Sequence, residues 1–209
     1  MIYVAGLPRS GTSFPMELFH HLGDRIAYWF NEAWRGGHED PEFNELAFRL
    51  GQYLLFSLPG DARDVLAAGC VTGLGEPSRI TPEEIRDVLA HCWSAYEAIK
   101  DITGGFMLAL ACEFGWRPQT VILCLRHPAE IIEKYGYPLL SLSMRLRNSA
   151  HAYAVLGQLL ATCIHYDLPY RVAHFPRFVH EPGNAWEVLG GLHGESEESF
   201  RFAWEKSHR

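Results

Sequence analysis

This 209-residue chain has no cysteine pair, no long apolar run and no surplus of basic charge. Its five cysteines, Cys70, Cys92, Cys112, Cys124 and Cys163, are widely spread and never form a Cys-x-x-Cys unit, so they read as small buried apolar side chains in a reducing compartment. Eleven histidines are present but no His-Glu-x-x-His, and the adjacent His20 and His21 cannot both face one site on a helix; the reading assigns no metal. No stretch approaches the roughly 20 apolar residues that span a bilayer. The short apolar run Ile2 to Ala5 has no basic leader before it, so no signal peptide and no membrane partner are expected, and the expected location is cytoplasmic. A net charge of -7 argues against nucleic acid or an anionic membrane surface, since both reward clustered Lys and Arg. Any anion site must be local.

With 48% hydrophobic and 21% charged residues, the length suits one well-buried domain over residues 1–209. Ile2 to Ala5, ending at Gly6, predicts a strand, and Thr12 to Leu22 has helical spacing that tolerates Pro15 in its first turn. Residues 24–43, broken by Gly36, Gly37 and Pro41, read as an irregular connection. Helices are predicted over 44–57 and 82–98, the second opened by Thr81-Pro82-Glu83-Glu84; the Gly-rich stretch between them is unassigned. Strands are predicted at 98–102, 120–125 and 170–174, and helices at 106–114, 129–135, 139–165 and 184–192. The segment Thr120 to Leu125 is apolar at successive positions, as a central parallel strand covered on both faces would be. Glu195 to Glu198 read as a solvated face. Alternating strands and helices predict an α/β fold with a central, mainly parallel sheet flanked by helices in three layers.

Gly6-x-x-x-x-Gly11-Thr12-Ser13 matches the phosphate-binding pattern G-x-x-x-x-G-K-[ST] except at the lysine. Backbone N–H groups at a helix N-terminus, with the Thr12 and Ser13 hydroxyls, would hold an anion, and Arg9 supplies a cation from within the loop. The same residues would also serve a plain glycine turn capping the first helix. A nucleotide triphosphatase needs a metal-holding acid at the end of a second strand. The clearest second strand ends in Arg126, and Asp101 is the only substitute.

The two stretches P-R-S-G-T-S and, farther on, V-I-L-C-L-R-H-P-A-E resemble, in order and context, the sulfotransferases that use 3′-phosphoadenosine 5′-phosphosulfate (PAPS). That resemblance implies a P-loop-type fold and a loop, Pro8, Arg9, Ser10, Gly11, Thr12 and Ser13, that wraps the 5′-phosphosulfate, with Arg9 on the bridging and leaving oxygens. It implies that Arg126 pairs with the 3′-phosphate. Eight positions after that arginine the family has a serine that also binds the 3′-phosphate; here Lys134 stands there as a charged donor. Relatives bring a lysine on the next strand to the leaving oxygens, which points to Lys100. In cytosolic relatives a histidine base follows in K-T-H, but the corresponding triplet is Lys100-Asp101-Ile102. Bacterial-type relatives use an acid after the first helix, which points to Glu32 as base, with His38 and Glu39 in reserve.

The function expected from the resemblance is transfer of a sulfuryl group from PAPS to a hydroxyl or amine of a small-molecule or glycan acceptor, with no metal. Two other readings stay open: a P-loop nucleotide or small-molecule kinase, and a non-catalytic nucleotide-binding protein on the same fold. The aromatics Tyr28, Trp29, Phe30 and Trp34 would either line an acceptor pocket or pack as ordinary core.

Overall fold

The computed structural model describes residues 1–6, 10–27, 30–31, 36–47, 49, 81–102, 106–127, 130 and 156–208. Strand β1 (Ile2–Gly6) is buried along its whole length. After it, α1 (Ser13–Leu22) buries Pro15, Met16, Leu18 and Phe19, and it stops at Gly23, whose φ of 101° is a conformation glycine adopts without strain. Residues 24–43, expected to be irregular, hold short regular pieces. Strand β2 (Phe30–Asn31) pairs antiparallel with β3 (Gly36–Gly37). Helix α2 (41–47) begins at Pro41, three residues before the expected start. The reason is local: Asp40 Oδ1 accepts from Phe43 N at 2.8 Å, a capping bond the proline at the first helical position accommodates.

Helix α3 (Pro82–Ala95) follows its predicted start, with Thr81 accepting from Glu84 N at 3.2 Å and Glu83 and Glu84 in the first turn. The remaining elements are β4 (Ala98–Asp101), α4 (Phe106–Glu113), β5 (Thr120–Leu125), α5 (156–165), β6 (Tyr170–His174), α6 (Arg177–His180), α7 (Pro182–Leu189) and α8 (Glu197–Lys206). Two of these depart from expectation. Helix α7 starts two residues earlier and stops at Gly190, and α8 was not expected as a helix, although Glu197 and Glu198 in its first turn are exposed, in keeping with the solvated face read there. Of the helices predicted at 129–135 and 139–165, only Glu130 and residues 156–165 lie within the described residues.

Strands β4, β1, β5 and β6 form one sheet in that order, every pair parallel. Alternation along the strands sends side chains to two layers. Tyr3, Ala5, Ile99, Val121 and Leu123 meet α2, α3, α4 and α5 through Phe43, Leu46, Leu89, Met107, Leu108 and Leu159. Ile2, Val4, Ala98, Ile122, Cys124 and Ala173 meet α1 and α6 to α8 through Met16, Phe19, Phe178, Leu189 and Phe200. This is a three-layer α/β fold, and each fully buried large side chain contributes about 1.5–3 kcal/mol. No described helix is long and apolar enough to cross a membrane.

The chain leaves β1 for β4 on one side, then returns past β1 to β5 and continues to β6 on the other. The direction of winding therefore reverses at β1. In parallel sheets a crevice opens at such a reversal, outside the carboxyl ends of the strands. The groups that follow Gly6, Lys100, Leu125 and His174 are brought to that end.

Candidate functional site

The β1–α1 loop is shaped by two glycines. At Gly6 a Cβ would lie 2.4 Å from Ser10 Oγ and 2.8 Å from the Cys124 carbonyl oxygen, so the loop turns against its own strand neighbour only because no side chain is present. Gly11 has φ +93°, and a Cβ there would meet Phe175 Cδ2 at 2.7 Å. Ser10 and Thr12 are buried, and Ser10 Oγ has no hydrogen-bond partner among the described residues. Buried hydroxyls are ordinarily bonded, so an orphaned one inside a glycine loop at the start of a ten-residue helix fits an oxyanion guest. Pro8 and Arg9 lie outside the described residues.

Lys100 reaches this loop from β4. It stands two positions after Ala98 and shares its sheet face, the one covered by α1. Its Nζ donates to Ser13 Oγ at 3.2 Å and to the Gly37 carbonyl at 2.6 Å, and pairs with Glu39 Oε1 at 2.8 Å. Three protons meet three acceptors, which is how a 3% exposed ammonium is tolerated. Burial pulls its pKa below the ordinary lysine value while Glu39 opposes that shift. The other Glu39 oxygen accepts from Asn44 Nδ2 at 2.9 Å, so α2 fixes the carboxylate.

Asp101 turns to the opposite face and accepts a 2.6 Å hydrogen bond from the buried Tyr3 hydroxyl. Burial, with this carboxylate second, holds the Tyr3 pKa well above its usual range.

Arg126 follows β5. Its Nε pairs with Glu130 Oε2 at 3.0 Å, and its guanidinium carbon lies 4.2 Å from the centroid of the Phe175 ring. Phe175 therefore touches both sites: one edge bounds Gly11 and its face carries Arg126. Its backbone N–H donates to the Leu125 carbonyl at 2.7 Å, which sets it beside the end of β5.

A second polar group lies beside Lys100. His38, between Gly37 and Glu39, has φ 66° and contacts Glu17 Oε2 through Nε2 at 2.5 Å. Glu17 is one helical turn after Ser13 on α1, and its other oxygen faces His21 Nε2 at 3.3 Å. Burial lowers the His38 pKa, and Glu17 pushes it back up.

Of the residues singled out in the sequence, the structure brings Ser10, Gly11, Thr12, Ser13, Lys100 and Arg126 to one end of the sheet. Glu32 and Lys134 lie outside the described residues, as do Tyr28, Trp29 and Trp34. The loop carboxylate that does stand beside Lys100 is Glu39, held in reserve by the sequence reading. Glu17 and Phe175 were not anticipated. Glu17 had a signal, its spacing of four from Ser13; Phe175 had none, because its role depends on β6 lying beside β5.

Among the described residues no group of three His, Cys, Asp or Glu is disposed to hold a metal. Cys92, Cys112, Cys124 and Cys163 are free and buried, and burial pushes the Cys124 thiol up to about 12. Fold and site together define a parallel α/β protein with an oxyanion-suited glycine loop flanked by a buried lysine and an arginine. No family model, curated protein or solved structure matches this chain.

Proposed function

We propose that the chain is a PAPS-dependent sulfotransferase with a P-loop-type fold, acting on a hydroxyl or amine of a small-molecule or glycan acceptor. The observation that carries this reading is the Phe175 ring, packed against Gly11 of one motif and Arg126 of the other. Two stretches of sequence more than a hundred residues apart thus share one wall, as two phosphate subsites of a single nucleotide would. The orphaned Ser10 hydroxyl fits the same guest.

PAPS supplies an activated sulfuryl group on its 5′-phosphate. On this reading the α1 N–H groups, Ser10, Thr12 and Ser13 cradle the 5′ side, and Arg126 offers a two-pronged fork to the 3′-phosphate dianion. Arg9 and Lys100 stabilise the charge that grows on the departing phosphate oxygen. Placement and charge stabilisation provide most of the rate in such transfers. Against the kinase reading, Asp101 is engaged by Tyr3 on the sheet face away from α1, so the one available strand-end acid is not turned to the loop.

Calorimetric titration tests the proposal. The protein is expected to bind 3′-phosphoadenosine 5′-phosphate without metal, and Arg126→Ala to weaken it at least tenfold, the loss of a charge-assisted fork. Tight binding of ATP·Mg²⁺ but not of the bisphosphate would sink the reading. Bisphosphate binding without PAPS turnover on a broad acceptor panel would favour a non-catalytic nucleotide-binding protein.

A further inference from the structure

A nucleotide with phosphates at both ends of its ribose needs the glycine loop and Arg126 at one fixed spacing, although they come from segments remote in sequence. We infer that Phe175 is the positioning residue that sets this spacing. Its ring holds the Arg126 guanidinium in the orientation that meets a 3′-phosphate, and so gives the chain its selectivity for a 3′,5′-bisphosphate over a 5′-monophosphate. This rests on the sulfotransferase reading above, which assigns the 3′-phosphate to Arg126 but names nothing that orients it.

Phe175 itself has little freedom. Its backbone N–H donates at 2.7 Å to the Leu125 carbonyl, which belongs to the peptide bond leading into Arg126, and the pairing of His174 with Leu125 brings the end of β6 to that point. The ring then stands edge-to-face with Phe178, the centroids 6.3 Å apart and the planes at 75°. Phe178 is fully buried and packs in the same manner on Phe14, in the first turn of α1, at 5.7 Å and 63°. Another edge of Phe175 closes on the loop, where a Cβ at Gly11 would lie 2.7 Å from Cδ2 and 3.4 Å from Cγ. Only a residue without a side chain permits that approach. Loop, helix start and ring form one packed unit.

Arg126 is laid on this unit. Its guanidinium carbon is 4.2 Å from the centroid of the Phe175 ring, and its Nε is 3.0 Å from Glu130 Oε2. The face contact fixes the plane of the guanidinium and the Nε bond fixes its direction within the plane, which restrains a long side chain otherwise free among many rotamers. The ordering cost is met by the fold before a ligand arrives. Because a forked contact with phosphate is directional, an arginine loosened from the ring loses the 3′-phosphate more than it weakens whatever the loop holds. Phe175 needs no contact with the ligand; it acts through Arg126. An aliphatic side chain of similar size would fill the space but offers no π face to the cation.

Calorimetry on the full chain with adenosine 3′,5′-bisphosphate and adenosine 5′-monophosphate measures the ratio of the two affinities. The wild type is expected to prefer the bisphosphate. Phe175→Leu should reduce that preference roughly 3- to 30-fold, the span of a cation–π contact from exposed to desolvated, with little change in 5′-monophosphate affinity. Phe175→Tyr, which keeps the ring face, should hold the wild-type preference. In Arg126→Ala, adding Phe175→Leu should change the ratio no further, since the group it acts through is gone. An unchanged preference in Phe175→Leu, equal losses for both nucleotides, loss of the preference in Phe175→Tyr, or a further fall in the Arg126→Ala background would overturn the inference and leave the sulfotransferase reading standing. A wild type that binds the two nucleotides equally would overturn the assignment of the 3′-phosphate to Arg126, and this inference with it.

Discussion

Lys100 shows how one residue ties the loop to the rest of the molecule. A buried ammonium costs several kcal/mol unless paired and fully bonded, and here Glu39, Gly37 and Ser13 supply one acceptor per proton. Removing one member strands the other. Lys100→Met is therefore expected to lower stability by about 3–5 kcal/mol in urea denaturation, and Lys100→Met/Glu39→Gln to recover at least half of the loss. Equal instability of the single and double variants would show that the pairing is not what holds the site. The sequence exposed half of this arrangement. A lysine at a strand end beside a glycine loop is legible, but its partner is 61 residues earlier in a segment broken by Gly36 and Gly37. Pairings made only by tertiary folding leave no local pattern. The same holds for Phe175, whose meaning comes from two neighbours remote in sequence.

At the scale of elements, regular alternation was readable and the C-terminal helix was not. β1, β5, β6 and the start of α3 declared themselves through apolar runs and a Thr-Pro-Glu-Glu opening, because burial and capping are local chemistry. Helix α8 did not: its acidic first turn read as a solvated face, as the exposed Glu197 and Glu198 are, but that reading named no helix there. The same exposed acidic residues complement the helix N-terminus, and Ser196 caps it by accepting from Ser199 N at 3.2 Å. The helix then packs inward: Phe200 and Ala203 are buried, and Phe200 meets Trp186 of α7 at 5.2 Å between ring centroids. Two residues on, Phe202 is 60% exposed. Phe200→Ala should therefore cost about 3–5 kcal/mol, and Phe202→Ala no more than about 0.5, by chemical denaturation. Comparable losses at the two positions would contradict the orientation of α8 against α1 and α7.

Across the whole molecule, two histidines titrate against each other. His193, in the turn before α8, meets Asp24, in the turn after α1, at 2.9 Å, and so joins the two ends of the chain. The hydrogen bond to Asp24 raises the His193 pKa, with burial opposing. Its stabilisation is complete below the unfolded value of about 6.5 and is lost as pH rises through the higher folded value. His38 has the opposite sign. Burial lowers its pKa, so on acidification the unfolded chain takes up that proton first, and stability falls as pH drops from about 6.5 through the folded value. The two contributions partly cancel in the wild type and separate in variants. His193→Asn is expected to melt below the wild type at pH 5, with the gap closing as pH rises to 9. His38→Asn should show its largest deficit above pH 7 and converge on the wild type, or pass it, near pH 5, since it removes the proton uptake that favours unfolding. Thermal midpoints of the three proteins across that range decide the matter. Gaps that stay constant with pH would mean that neither imidazole couples its proton to folding.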